Sequence, residues 1–131
     1  MFALDTNSVL YIFKNQGRVA DRLLETPHAE VAIPAVVLYE LEVGLAKSAS
    51  PQKRREQLSR FLDTVSILPF GVQEAKSAAL VRARLERLGT PIGPIDNLIA
   101  GTALSHRATL VTRNLREFER VEGLSLDNWY D

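Results

Sequence analysis

The sequence predicts an α/β protein, a three-layer α/β/α sandwich around a short-stranded, mostly parallel sheet. Three observations carry that expectation. Short apolar runs recur at Phe2–Asp5, Val31–Ile33, Ser66–Leu68 and Thr109–Thr112; longer segments with helical spacing separate them; and Pro and Gly act mainly as punctuation between segments. Alternation of strand and helix favours parallel pairing with helices on both faces. The ligand crevice of such a sheet opens beyond the carboxyl ends of its strands.

In chain order, Phe2 to Asp5 reads as a buried strand, and Thr6, Asn7 and Ser8 supply capping side chains for a helix to about Lys14. A second helix is expected from Gly17 to Glu25. Val31-Ala32-Ile33 is a strand closed by Pro34, and Val37, Leu41 and Leu45 give the next segment, Ala35 to about Lys47, a helical stripe. Ser50-Pro51 opens a helix carrying Leu58, Phe61, Leu62 and Val65. Ser66 to Leu68 is a strand stopped by Pro69, and a long helix runs from about Val72 to Leu88 with Gly89 in the C-cap position. Gly93-Pro94 starts another helix to about His106. Thr109 to Thr112 is the last strand, Leu115 to Arg120 a short helix, and the tail ends Asp127-Asn128-Trp129-Tyr130-Asp131.

With 131 residues, 46% of them hydrophobic and 24% charged, one domain spanning residues 1–131 is expected. The chain has no cysteine, and His28 and His106 carry no ligand spacing, so zinc chemistry is disfavoured and hard oxygen ligation remains. Sixteen basic and sixteen acidic residues cancel, which excludes a general electrostatic affinity for nucleic acid or membrane. The N-terminus lacks the basic and apolar regions of a signal peptide, and no apolar run approaches the roughly 20 residues needed to span a bilayer. A cytoplasmic protein without membrane contact is expected.

Three carboxylates sit where a carboxylate is costly. Asp5 ends an apolar strand at the rim of the expected crevice; Glu40 lies beside Val36, Val37, Val43 and Gly44, whereas Tyr39 and Glu42 turn to the polar side. Asp96 falls on the face made by Ile95, Ile99, Ala100, Ala103 and Leu104. Each has a structural alternative: Asp5 as a helix cap, Glu40 reaching solvent or pairing with Lys47, and Asp96 as a first-turn carboxylate stabilised by the helix dipole. Taken together they call for a cation, Mg²⁺ or Mn²⁺, because buried carboxylates must be paired or metal-bound. Such an ion polarises a phosphodiester and lowers the pKa of water. Mg²⁺ takes only one or two direct carboxylates, so Asp5 and Asp96 are the expected ligands, with Glu40 orienting or deprotonating the attacking water.

The motifs Leu4-Asp5-Thr6-Asn7, Tyr39-Glu40-Leu41 with Gly44, Gly93-Pro94-Ile95-Asp96 running into Ile99-Ala100, and Leu110-Val111-Thr112-Arg113-Asn114 with Phe118, in that order, resemble the PIN-domain ribonucleases. They are most similar to VapC-type toxins of type II toxin–antitoxin pairs, over nearly the whole chain. The resemblance implies a Mg²⁺- or Mn²⁺-dependent endoribonuclease with Asp5, Glu40 and Asp96 as its catalytic acids. A fourth family acid usually follows the last core strand, where this chain offers Asn114 and Glu117 as alternatives. Thr6 and Thr112 are expected to orient carboxylates or waters, or else to cap. The segment Gly89–Pro94 resembles the subgroup that cuts initiator tRNA in the anticodon region. The resemblance also implies a homodimer and a small antitoxin that threads apolar and basic side chains toward the acidic groove and reaches operator DNA on the toxin's behalf.

Arg113, Arg116 and Arg120 follow the last core strand and are candidate RNA phosphate contacts, Arg113 being nearest the site. The runs Lys53-Arg54-Arg55 and Arg82, Arg84, Arg87 read as solvated faces, and Tyr11, Phe13, Phe61, Phe70 and Phe118 as packing residues. An aspartyl phosphatase is disfavoured because Asn7 occupies the position of its second acid. The remaining alternative is a catalytically silent module whose acids seat a structural ion or an antitoxin arginine while it joins the antitoxin in DNA binding and transcriptional autoregulation.

Overall fold

The computed structural model describes residues 1–131. Five strands, β1 (Phe2–Leu4), β2 (Val31–Pro34), β3 (Ser66–Leu68), β4 (Thr109–Val111) and β5 (Leu126–Asp127), form one parallel sheet in the order β3-β2-β1-β4-β5. Seven α-helices connect them: α1 (Thr6–Lys14), α2 (Val19–Glu25), α3 (Ala35–Lys47), α4 (Gln52–Leu62), α5 (Val72–Arg87), α6 (Pro94–Ser105) and α7 (Leu115–Phe118). A single 3₁₀ turn, His28–Glu30, leads into β2.

The central strands are short and apolar because they are covered on both faces. Ala3 of β1 is fully buried between Ala32 and Leu110, its register partners on either side. From β1 the chain moves outward through β2 to β3, then returns to place β4 on the opposite side of β1. The strand order therefore reverses between β1 and β4, and their adjoining carboxyl ends form the switch point where α/β sheets bind ligands. Asp5 and Thr112 are the residues that leave those two strand ends.

Helix α6 is held close to the sheet by small residues. Ala100, Gly101 and Ala103 are buried, and a Cβ on Gly101 would stand 2.5 Å from the Ala78 backbone of α5. Pro94 occupies its first turn, where the missing N–H costs nothing. The α5 helix begins with the Glu74 carboxylate accepting the Gly71 N–H at 2.8 Å, and the other Glu74 oxygen lies 2.8 Å from His106 Nε2 at the end of α6.

Several boundaries differ from the sequence expectation. The second helix begins at Val19 rather than Gly17, because Gly17 is left-handed at φ +62°. The fourth begins at Gln52 after Pro51, and α7 ends at Phe118 rather than Arg120. Leu88 is the C-cap of α5, and Gly89, one residue beyond, takes the left-handed conformation at φ +72°. The tail forms β5 against β4 and is anchored by Trp129, which is 1% exposed and packs on Phe2 at 5.2 Å between ring centroids.

Candidate active site

Asp5 has two tasks at the switch point. Its backbone N–H continues the ladder to the Val111 carbonyl at 3.1 Å, and its Oδ1 accepts the Ser8 N–H at 2.9 Å as the N-cap of α1. The cap is thus Asp5 itself, not Thr6, Asn7 or Ser8, because only Asp5 has the extended backbone a cap requires. Burial raises its pKa above the ordinary carboxylate value; hydrogen bonds from Thr112 and Ser8 oppose this, and the Glu40 charge adds to the rise.

Glu40 lies midway along α3 and is half-buried, while Tyr39 and Glu42 are exposed, as helical periodicity requires. Its Oε1 accepts a hydrogen bond from Thr6 Oγ1 at 2.5 Å, so it is tied to the first residue of α1 rather than to Lys47. Thr112 is fully buried; besides its bond to Asp5, its Oγ1 accepts the Asn114 N–H at 3.0 Å. Both threonines therefore touch carboxylates or the turn that presents them.

Asp96 sits in the first turn of α6, partly buried, and its carboxyl is pushed up to about 7. Desolvation is the main cause, followed by the charge and hydrogen bond of Glu117, and then by the charges of Asp5 and Glu40. Four acids from four segments thus act on one another at one place. Glu117 lies beside Asp96: its Oε1 accepts the Gly93 N–H at 3.1 Å and its Oε2 is bonded by the Asn114 amide. Burial works to raise Glu117, but the Gly93 N–H, Asn114, Asp96 and Arg120 outweigh it and hold its carboxyl below the usual range. Asn114 and Glu117 are thus joined to each other, both next to the acids.

The acids offer only oxygen ligands, which suit a hard divalent cation, and the repulsion among their charges is what a cation relieves. No three of the acids lie close enough to make a ligand cage by themselves. Mg²⁺ in general takes one or two carboxylates directly and keeps waters in the rest of its shell, so such an ion would not need three of these acids at once.

The arginines divide. Arg113 flanks a hollow of about 240 Å³ beside Asp5, with Asn7, Tyr11 and Asn114 around it. Arg116 is exposed on α7 and does not line that hollow, whereas Arg120 Nη1 donates to the Pro91 carbonyl at 3.0 Å and fixes the loop before α6. Arg82 and Arg84 pair with Glu86 and Glu122 on the surface. Lys53 and Arg54, expected on a solvated face, instead line a groove of about 680 Å³ that begins at Thr6 and Glu40 and has an apolar floor including Leu10, Phe13, Leu41 and Leu58. Arg54 lies over the Phe13 ring at 5.2 Å, which draws α4's basic edge inward. Ser8, Asn7 and Tyr130 were not singled out as site residues by sequence reasoning; Asn7, two residues after Asp5, carried the only signal.

Fold and site together define a class, the α/β domains with an acidic crevice at a parallel-sheet switch point. The chain belongs to the PIN-domain family, whose model matches residues 2–124. It is 35% identical over 128 residues to the tRNA(fMet)-specific endonuclease VapC of Salmonella typhimurium, covering 98% of this chain and 97% of that protein. To ribonuclease VapC2 of Rickettsia felis it is 36% identical over 131 residues, with 98% of each covered. Among solved structures, VapBC2 from Rickettsia felis bound to a promoter DNA fragment superposes with a TM-score of 0.91 at 34% identity, covering 98% of both chains. DNA-bound VapBC from Salmonella typhimurium also gives 0.91, at 36% identity over 98% of this chain and 97% of that one.

Proposed function

We propose that the chain is the toxin of a toxin–antitoxin pair and a Mg²⁺- or Mn²⁺-dependent endoribonuclease acting on tRNA, with initiator tRNA as the leading substrate. The observation that carries the activity is the gathering of Asp5, Glu40, Asp96 and Glu117 at the switch point, where burial first and then the other three acids push Asp96 up to about 7. The substrate follows from the names of relatives that align end to end with this chain.

Asp5 and Asp96 would hold the ion. When bound, the ion supplies charge neutralisation at the scissile phosphate and a more acidic water. Glu40, aimed by the Thr6 hydroxyl, accepts the proton of the attacking water at a carboxylate oxygen. Glu117 and its donors set the position of Asp96. The groove that starts at Thr6 and Glu40 suits an antitoxin segment with apolar side chains, and an occupant there would cover Glu40 from RNA. Partnership with a cognate antitoxin is supported by the VapBC complexes among the structural relatives; DNA contact through that antitoxin and a toxin homodimer complete the reading.

The test is cleavage of a total tRNA pool with Mg²⁺, Mn²⁺ or chelator, comparing wild type with Asp5→Asn and Asp96→Asn and mapping the cut sites. Metal-dependent cuts in the initiator tRNA anticodon region, reduced at least about 100-fold in both variants, are expected. Equal cleavage by all three proteins sinks the nuclease reading. Growth arrest that persists in Asp96→Asn would favour the catalytically silent module instead.

A further inference from the structure

Arg113 leaves the carboxyl end of β4 and is held in an unusual way for an exposed arginine. Its Cζ lies 3.7 Å from the centroid of the Tyr130 ring, and the guanidinium is also hydrogen-bonded to Tyr11. Tyr130 is itself fixed. It meets Tyr11 edge-on at 4.8 Å, its N–H donates to Asn128 Oδ1 at 2.8 Å, and its carbonyl accepts the Arg18 N–H at 2.9 Å. A Cβ on Gly17 would stand 2.6 Å from that ring, so the turn before α2 has been cleared for it.

The result is a planar cation with one face on an aromatic ring and no carboxylate in an ion pair with it. It borders the hollow whose inner wall is Asp5 and whose other side carries Asn7 and Asn114. The Asn114 amide nitrogen is engaged by Glu117, which leaves Asn114 Oδ1 as an acceptor; the exposed Asn7 offers both donor and acceptor. A cation meant only to attract phosphate needs no such support. Unpaired RNA bases, by contrast, stack on guanidinium planes and are read along their edges by side-chain amides.

We propose that this hollow is a nucleobase subsite: the base adjoining the cleaved phosphodiester stacks on the open face of Arg113, and Asn7 with Asn114 reads its edge. The inference rests on the ribonuclease reading and adds to it the residues that choose the bond. Tyr130 and Tyr11 are positioning residues, acting through Arg113. Their role explains why the C-terminal strand and tail are docked beside the site rather than left free.

The experiment compares wild type, Arg113→Lys and Tyr130→Leu on RNA oligonucleotides in which each base flanking the cut is varied, with hydrolysis of bis(p-nitrophenyl) phosphate in Mn²⁺ as the reference reaction. Arg113→Lys keeps the charge and loses the plane. Base–side-chain stacking is worth about 1–3 kcal/mol, so RNA cleavage relative to diester hydrolysis should fall about 5- to 150-fold, through KM, with the flanking-base preference flattened. Tyr130→Leu should move the same way, by less. Unchanged base preference and KM in Arg113→Lys overturn the subsite, as does a variant whose only defect is weaker antitoxin binding, which would make Arg113 a contact for an acidic side chain of that partner. Wild-type protein that cleaves neither RNA nor the diester overturns the ribonuclease reading, and the subsite with it; wild type that cleaves RNA while Arg113→Lys matches it overturns the subsite alone.

Discussion

Replacing Asp96 by Asn should make the metal-free protein more stable at pH 8. The Asp96 carboxyl, ordinarily at 3.8, is pushed up to about 7 by desolvation and then by Glu117, Asp5 and Glu40. A rise of that size corresponds to about 4 kcal/mol against the charged form, and solvent screening at a partly exposed group reduces it to about 2 kcal/mol. The sign follows from proton linkage. Between about pH 4 and 7 the folded state keeps a proton that the unfolded state has released, so this group's contribution falls as pH rises through that window and is flat above it. Asparagine fills the same space without the charge. For a chain of this size about 2 kcal/mol corresponds to a rise of about 6 °C in Tm. Thermal melts followed by circular dichroism in chelator should therefore place Asp96→Asn about 6 °C above wild type at pH 8 and within about 2 °C of it at pH 5. Mg²⁺ should raise wild type and leave the variant little changed. A variant no more stable than wild type at pH 8, or a gap independent of pH, would refute the claim that burial and the neighbouring acids oppose the Asp96 charge.

Asp5→Asn and Asp5→Ala should both abolish cleavage, but only the alanine variant loses the α1 cap, so urea denaturation should find it about 1 kcal/mol less stable than the asparagine variant. Thr6→Val removes the donor that aims Glu40; kcat for RNA cleavage should fall about 10-fold with the melting temperature nearly unchanged. Gly101→Ala presses a methyl group into the Ala78 backbone, where α5 offers no flexible side chain to yield, and should cost about 1–3 kcal/mol in denaturant unfolding.

How much of this was legible in the sequence depends on the range of the forces involved. The first four strands and all seven helices could be read because local periodicity and punctuation specify them. The fifth strand could not: Leu126–Asp127 is two residues long, and its place is set by Trp129 and Tyr130 packing on distant partners. Asp5, Glu40 and Asp96 were visible as carboxylates interrupting apolar patterns. The contacts of Asn114 and Glu117 were not, because the two stand within one turn of each other and the Gly93 N–H that bonds Glu117 is brought from 24 residues away. Likewise Lys53 and Arg54 read as a surface run, since nothing local shows that α4 turns them toward Glu40 across a groove.

The place of the acids in the fold explains why their repulsion persists. Asp5 caps α1 and Asp96 lies in the first turn of α6, so both stand at positive helix ends, each of which stabilises a carboxylate by about 0.3–1 kcal/mol. For Asp96 that is too little: burial and three negative neighbours act in the opposite direction with several times the strength. Glu117, with the Gly93 N–H and the Asn114 amide bonded to it and Arg120 nearby, escapes the same fate. Between Asp96 and Glu117 the proton therefore resides on Asp96. Added backbone donors at Asp96 would have settled the charge locally and made a stable, inert corner. Gly93, the cap of α6, contributes no side chain, and its N–H is already committed to Glu117. Asp96 and the buried Asp5 are thus the acids whose charges the protein leaves opposed, and both gain from a cation.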